Sequence, residues 1–276
     1  MATVTADLTI AGVVEQLLRD FDSQPLRVQR RILWLVASCE SLRDRPEAEQ
    51  QNSLRLSLDI KSRAIVFEQQ ARGLYEELSS VGIDVENLSQ LRRLEATDRR
   101  ALPILLRWLS QVSYKPLKIE IVSTFDAAWA KPQAVQPLFD EFHRIDPVTD
   151  PDSPVSVRNH IAGVLSRLAP RESADQLFEI AEDPANGNAR SLATFTFKKF
   201  RKDLDSLVPR MQDLLMSGDF VVSVPAAEVL AAWNVSEAAP RVASMISELE
   251  SEDHKNKTSA AHLRRLKEAA KKLAAG

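Results

Sequence analysis

Apolar residues recur three or four positions apart along most of this chain, a spacing that places them on one face of an α-helix. Ser23 and Pro25 favour a helix start, Pro46 favours another, and Gly82 is suited to a helix end. The pattern predicts N-terminal helices over 9–21, 25–43, 46–80 and 84–95. The third has sparser apolar positions, so it is a cap that packs on the first repeat, a partly exposed arm or a dimerisation helix.

From residue 97 to the C-terminus the pattern repeats as an apolar helix, a short turn and a second apolar helix. Five anchor positions, at 103, 137, 176, 209 and 240, lie 31 to 39 residues apart. A period in this range is typical of stacked helical hairpins, because one hairpin cannot bury its own apolar face. The predicted hairpins pair 99–110 with 115–130, 132–144 with 155–168, 172–182 with 187–201, 205–216 with 220–233, and 237–250 with 257–274.

The hairpins resemble the HEAT repeat. The match is best in the second hairpin, with Pro137-Leu138-Phe139 in the first helix and Val157-Arg158-Asn159-His160-Ile161-Ala162 in the second. The third hairpin has Ala189-Arg190-Ser191-Leu192-Ala193, and the fourth has Val224-Pro225-Ala226-Ala227, where proline replaces the arginine. The resemblance covers roughly 175 residues and implies a right-handed α-solenoid whose second helices line a concave binding surface. We therefore expect an all-α chain with a capping region over 1–96 and about five repeats over 97–276.

Composition supports a helical, soluble protein. Hydrophobic residues make up 44% and charged residues 27% of the chain, and there are only 7 glycines. The single cysteine, Cys39, cannot form an internal disulfide and is predicted to be a buried thiol, which fits a reducing compartment. We find neither a signal peptide nor an apolar stretch long enough to cross a bilayer, so we expect a cytoplasmic protein with no membrane contact.

Charge divides unequally between the two helices of each hairpin, although the net charge is only −3. The second-helix segments 114–131, 154–171, 187–203, 219–236 and 255–274 sum to +12, whereas the first-helix segments 97–111, 132–146, 172–185, 204–217 and 237–253 sum to −10. One hypothesis is a basic concave face for an anionic partner, built from Arg158, Arg190, Lys198, Lys199, Arg201, Arg264 and Arg265. The alternative is that these are solvated faces, with cations that favour helix C-termini.

Aromatic residues lie among these cations. Phe195, Phe197 and Phe200 alternate with the lysines of the third hairpin, a pattern that can stack nucleic-acid bases. Helical spacing favours a core role instead, because Phe197 and Phe200 share a face. The four tryptophans lie in helices among apolar neighbours and are predicted to be core or groove residues between helices: Trp34, Trp108, Trp129 and Trp233.

No motif for metal or cofactor chemistry stands out, and we expect neither. Asp146, Asp150 and Asp152 lie in one loop but lack the glycine and the terminal glutamate of a calcium loop. The four histidines show no paired metal spacing. Asp126 and Trp129 are one turn apart, so the site of a HEAT-like DNA glycosylase can be drawn, without a match to the motifs of that family.

Three functions follow from these patterns. The first is a non-enzymatic scaffold or adaptor that binds a protein partner through the concave face. The second is a nucleic-acid-binding protein that uses the same face, and the third, with the least support, is a DNA glycosylase. The sequence leaves the partner, the pathway and the oligomeric state open.

Overall fold

The computed structural model describes residues 8–95, 99–153, 155–200, 202, 204–251 and 257–274, and this described part is helical without a β-strand. The all-α prediction is therefore confirmed. No helix in these ranges is both long and apolar enough to cross a membrane. The α-helices are α1 (Ile10–Leu18), α2 (Leu26–Glu40), α3 (Glu47–Ser80), α4 (Ala101–Gln111), α5 (Lys115–Thr124), α6 (Val135–Arg144), α7 (Val157–Leu168), α8 (Ala174–Glu182), α9 (Ala189–Thr196), α10 (Val208–Met216), α11 (Phe220–Ala232), α12 (Ala239–Ser251) and α13 (Lys257–Leu273).

Helices α1, α2 and the first half of α3 enclose a small core. Val13 and Leu17 of α1 meet Ile32 and Leu35 of α2 there, and Leu54 of α3 closes it. Cys39 lies in the same core as a free thiol, which confirms its predicted burial. The stripe spacing in α2 thus predicts its packed face correctly.

Helix α3 connects this unit to the rest of the chain. From Ala71 onward its inward side chains belong to a second, larger core that extends to Leu273. It contacts α1 and α2 at one end and α4 and α5 at the other. The predicted division after residue 96 stays a prediction, and the larger core lies on both sides of it.

Helices α4 to α13 contact one another in successive pairs, and the division into five repeats stays a prediction. Within each pair the two helices contact each other, as α8 does with α9 and α10 with α11. The second helices also contact one another in series, α5 with α7, α7 with α9, α9 with α11, and α11 with α13. These five helices are called the second-helix layer below. Helix α11 is apolar apart from Ser223 and Glu228, because α9, α10 and α13 surround it.

Three predicted helices are shorter than expected. Helix α5 ends at Thr124, whose hydroxyl donates to the Ile121 carbonyl oxygen at 2.6 Å. Helix α9 ends at Thr196, whose hydroxyl donates to the Leu192 carbonyl oxygen at 2.9 Å. Such side-chain bonds compete with the helical ladder. The predicted helix over 84–95 is only a 3₁₀ segment, Leu88–Arg93.

Candidate binding groove on the second helices

An open groove of about 500 Å³ lies over α5, α7 and α9. Its floor is the outward face of α7, where Asn159, His160, Gly163 and Arg167 fall at helical spacing. Asp126, just after α5, and Asn188, just before α9, form its sides. We call this feature the α7 groove. It exists because neighbouring second helices pack side by side and leave one face of each uncovered.

Gly163 gives the floor its shape. It lies in the middle of α7, and a Cβ atom added there would meet no other heavy atom within 4 Å. The helix backbone is therefore bare at this point. Glycine inside a helix costs roughly 0.5–1 kcal/mol relative to alanine, so the fold does not favour it there.

Polar side chains line the groove and keep free hydrogen-bonding capacity. The Asn159 amide nitrogen donates to Asp152 Oδ1 at 2.7 Å, which leaves its oxygen as an acceptor. His160 Nδ1 lies 2.8 Å from the Ser156 carbonyl oxygen. Because a carbonyl only accepts, Nδ1 carries the hydrogen, and in the neutral ring Nε2 is an acceptor. The groove thus offers neutral acceptors rather than a concentrated charge.

Two of the four charged residues that line the groove form an ion pair with each other. Arg167 Nε lies 2.6 Å from Asp126 Oδ1 across its floor. Asp152 accepts from Asn159 and also from the Asn188 backbone N–H, at 3.0 Å. Arg92 at the edge makes no ion pair within the described part of the chain. The charged side chains that line the groove, two arginines and two aspartates, therefore have no net charge together.

Arg158 and Arg190, two of the residues predicted for an anionic partner, are buried. Arg158 donates to Asn186 Oδ1 in the next hairpin, and its guanidinium carbon lies 4.3 Å from the centre of the Phe142 ring. Burial lowers the pKa of Arg158, although nearby aspartates oppose the shift. Arg190 donates to the Ala181 carbonyl oxygen at 2.9 Å and to Asp219. Both guanidinium groups thus join one hairpin to another and are not on the surface.

Lys198 and Arg265 converge on one carboxylate. Arg265 donates to both Glu228 oxygens, at 3.0 and 3.2 Å. Lys198 Nζ lies 4.0 Å from the same group. The two cations therefore hold the third, fourth and fifth hairpins together, and Glu228 compensates part of their charge.

The remaining three predicted residues are placed differently from one another. Lys199 Nζ donates to the Ser166 carbonyl oxygen at 3.0 Å. Desolvation lowers the pKa of Lys199 to about 8, with a further contribution from the neighbouring Lys131, so its charge is weakened in mildly alkaline solution. Arg264 is exposed on α13 and makes no ion pair within the described ranges. Arg201 lies outside the described residues.

The aromatic predictions are mostly confirmed. Phe197 and Phe200 are buried, and the indole N–H groups of Trp129 and Trp233 donate to backbone carbonyl oxygens at 2.8 and 2.7 Å. Because Trp129 is fully buried, it does not lie with Asp126 in the α7 groove. Trp34 is not a core residue, since its side chain is 57% exposed, and it lines an open cleft beside α2.

The loop before α7 is fixed by its aspartates. Asp150 accepts from the Ser156 hydroxyl and the Arg158 backbone N–H, both at 2.9 Å, and pairs with Lys115 at 2.9 Å. Burial raises the pKa of Asp150, but these bonds outweigh burial and the pKa lies below its ordinary value. The loop is thus held by hydrogen bonds at one edge of the groove.

Asp150→Ala should lower the free energy of unfolding at neutral pH by about 1–3 kcal/mol, because several buried donors lose their acceptor. Since the folded pKa is depressed, the stabilisation is complete above the unfolded value of about 3.9 and is lost as pH falls through the folded value. Urea unfolding between pH 3 and pH 7 measures this. The difference in the free energy of unfolding between wild type and Asp150→Ala should be constant near neutral pH and become smaller in acid. A difference that grows in acid would contradict a lowered pKa of Asp150.

Asn159, Gly163 and Asn188 line the groove but are not among the predicted site residues. A glycine inside a predicted helix, in a chain with 7 glycines, was the available signal for Gly163. Asn159 and Asn188 carry no comparable signal, because their roles depend on Asp152 in the preceding loop. Comparison with known proteins adds no assignment: no family model, no curated protein and no solved structure matches the chain.

Proposed function

We propose that this chain is a HEAT-like α-solenoid of about five hairpins that binds a protein partner in the α7 groove. The serial contacts of the second-helix layer support the solenoid, because each hairpin buries its apolar face against the next. The observation that carries the binding site is the open space above Gly163, on the floor of a polar groove. In this arrangement the second helices form the concave side.

The chemistry of the groove favours a protein over a nucleic acid. Phosphate binding requires unpaired cations along a surface. The salt dependence of the affinity reflects the number of phosphates that these cations neutralise. Arg158, Arg190, Lys198 and Arg265 are committed to contacts within the chain, so the basic-face alternative has less support. Neutral acceptors and paired charges are suited to the backbone and polar side chains of a polypeptide.

The exposed aromatic side chain of Phe195 lies on the side of α9 that continues from Asn188 at the edge of the α7 groove. Phe195 is 42% exposed and follows Asn188 by seven residues, which places both on one line of the helix. Lys198 Nζ lies 4.8 Å from the centre of the Phe195 ring. Aromatic residues are frequent anchors at protein interfaces, so Phe195 extends the proposed surface toward the next hairpin.

Gly163→Leu should remove partner binding without loss of stability. The leucine side chain enters open groove space, and the helix gains roughly 0.5–1 kcal/mol from the loss of glycine. Gly163→Ala is the matched control, since it gives the same backbone gain with only one methyl group. Affinity capture from a cell extract, with wild type and both variants as bait, compares the retained proteins.

A partner that wild type and Gly163→Ala retain equally, and that Gly163→Leu retains at least about tenfold less, supports the proposal. Thermal unfolding of the three proteins checks that the leucine variant is folded. Equal capture of every protein by Gly163→Leu and wild type would refute binding in the α7 groove.

A further inference from the structure

Helix α2 has two apolar faces, and only one of them is packed. Val28, Ile32, Leu35 and Cys39 point into the N-terminal core. On the opposite side Leu26 is 61% exposed, Leu33 is 52% exposed and Trp34 is 57% exposed. A cluster of large apolar side chains on one exposed helix face marks an interaction surface more strongly than single exposed residues do.

The exposed apolar side chains lie on one side of the helix and are called the α2 strip below. Leu26 and Leu33 are seven residues apart, so they lie on one line of the helix about 10.5 Å apart, with Arg30 between them. Trp34 follows Leu33 directly and widens the strip on the side of Arg31, whose guanidinium carbon lies 5.3 Å from the centre of the Trp34 ring. Tryptophan and arginine are the residue types most enriched in interface hot spots.

A cleft of about 380 Å³ borders the strip between α2 and the segment after α3. Arg27 fixes this segment, because it donates to the Val85 carbonyl oxygen at 3.0 Å and pairs with Glu68 at 2.9 Å. Arg30 pairs with Glu86 at the edge of the cleft. The surface is therefore held in place before any partner arrives, which reduces the entropy cost of binding.

The charge along the strip is positive. Arg30 has a carboxylate partner, but Arg31 makes no ion pair within the described part of the chain. No acidic residue of α2 precedes Glu40 at its end. A complementary surface therefore has apolar residues in the centre and carboxylates beside them.

We propose that the outer face of α2 binds an amphipathic helix of a partner protein, with apolar residues at i, i+3 or i+4 and i+7 and acidic residues along its flanks. This spacing matches the two turns from Leu26 to Leu33. A second copy of the chain fits less well, because an antiparallel contact between two α2 strips would bring Arg30 and Arg31 of both copies together. The surface is separate from the α7 groove, so it is independent of the proposed function.

The test uses the full chain and two synthetic 18-residue helical peptides with identical leucine and phenylalanine positions. One peptide carries glutamate at the remaining positions and the other carries lysine. Fluorescence anisotropy should show micromolar binding of the acidic peptide and at least about tenfold weaker binding of the basic one. Trp34→Ala and Arg31→Glu should each lower the affinity for the acidic peptide at least about tenfold.

Val148→Ala is the matched control, because Val148 is an exposed apolar residue far along the chain in the loop before α7. The Val148→Ala and Gly163→Leu variants should both bind the acidic peptide with the affinity of wild type. The proposal is overturned if Trp34→Ala binds as tightly as wild type, or if wild type does not distinguish the two peptides. It is also overturned if sedimentation shows a dimer that Trp34→Ala dissociates, since a second copy would then cover the strip.

Discussion

Replacing Glu141 with alanine should lower the free energy of unfolding by roughly 3–5 kcal/mol. Glu141 of α6 accepts from Lys118 of α5 and from Arg144 of its own helix. The Lys118 side chain is only 9% exposed, so loss of Glu141 leaves an ammonium group with little water around it. Denaturant unfolding followed by circular dichroism measures the loss.

Two further variants test whether the effect comes from the buried Lys118–Glu141 pair rather than from an exposed charge. Lys118→Met combined with Glu141→Leu should recover most of the loss, because the desolvation cost of both charges disappears. Arg144→Ala should cost no more than about 1 kcal/mol, since Arg144 is largely exposed. The assignment fails if Glu141→Ala costs no more than Arg144→Ala.

Arg190→Ala should lower the free energy of unfolding by roughly 2–4 kcal/mol, the second large effect. Arg190 is buried, and it bonds to the Ala181 carbonyl oxygen and to Asp219 of the next turn. Asp219 in turn caps α11 by accepting from the Val221 N–H at 2.9 Å. The variant thus leaves a cavity, an unpaired carbonyl and a weakened helix start.

Arg264→Ala is the control for this prediction. Arg190 and Arg264 were both predicted to lie on a face that binds an anionic partner. Arg264, in contrast to Arg190, is exposed and makes no ion pair in the described ranges. Its removal should change the free energy of unfolding by no more than about 0.5 kcal/mol. Equal effects of the two variants in denaturant unfolding would show that the buried contact is not structural.

Helical spacing predicted the packed faces because burial imposes a period on the sequence. The stripe of α2 and the pairing of α8 with α9 follow from local pattern alone. The end of α5 does not, since the hydroxyl bond that Thr124 makes there also occurs inside a helix, at Thr194 of α9. The serine, threonine and asparagine residues elsewhere in helices give the same signal without ending them.

Charge was harder to interpret than hydrophobicity. Arg158 and Arg190 have the sequence pattern of surface cations, and each finds its partner in the following hairpin, at Asn186 and Asp219. A basic residue that joins two hairpins and one that faces solvent cannot be told apart until the hairpins are packed. The excess of positive charge in the second-helix segments therefore reflects, in part, contacts between hairpins.

The candidate surfaces were only partly visible in the sequence. Gly163 carried a signal, as a glycine within a helix. Trp34 and Leu33 also carried one, because they lie off the stripe that contains Ile32 and Leu35. The α7 groove as a whole carried none, since it is assembled from α5, α7 and α9 by their packing.

The most direct test of partner binding in the α7 groove is calorimetric titration of the captured partner into wild type, Gly163→Ala and Gly163→Leu at about 50 mM and about 500 mM salt. We expect equal Kd values for wild type and the alanine variant, at least about tenfold weaker binding by the leucine variant, and little change of affinity with salt. Binding by Gly163→Leu that equals wild type, or a steep loss of affinity in high salt for all three proteins, would contradict it.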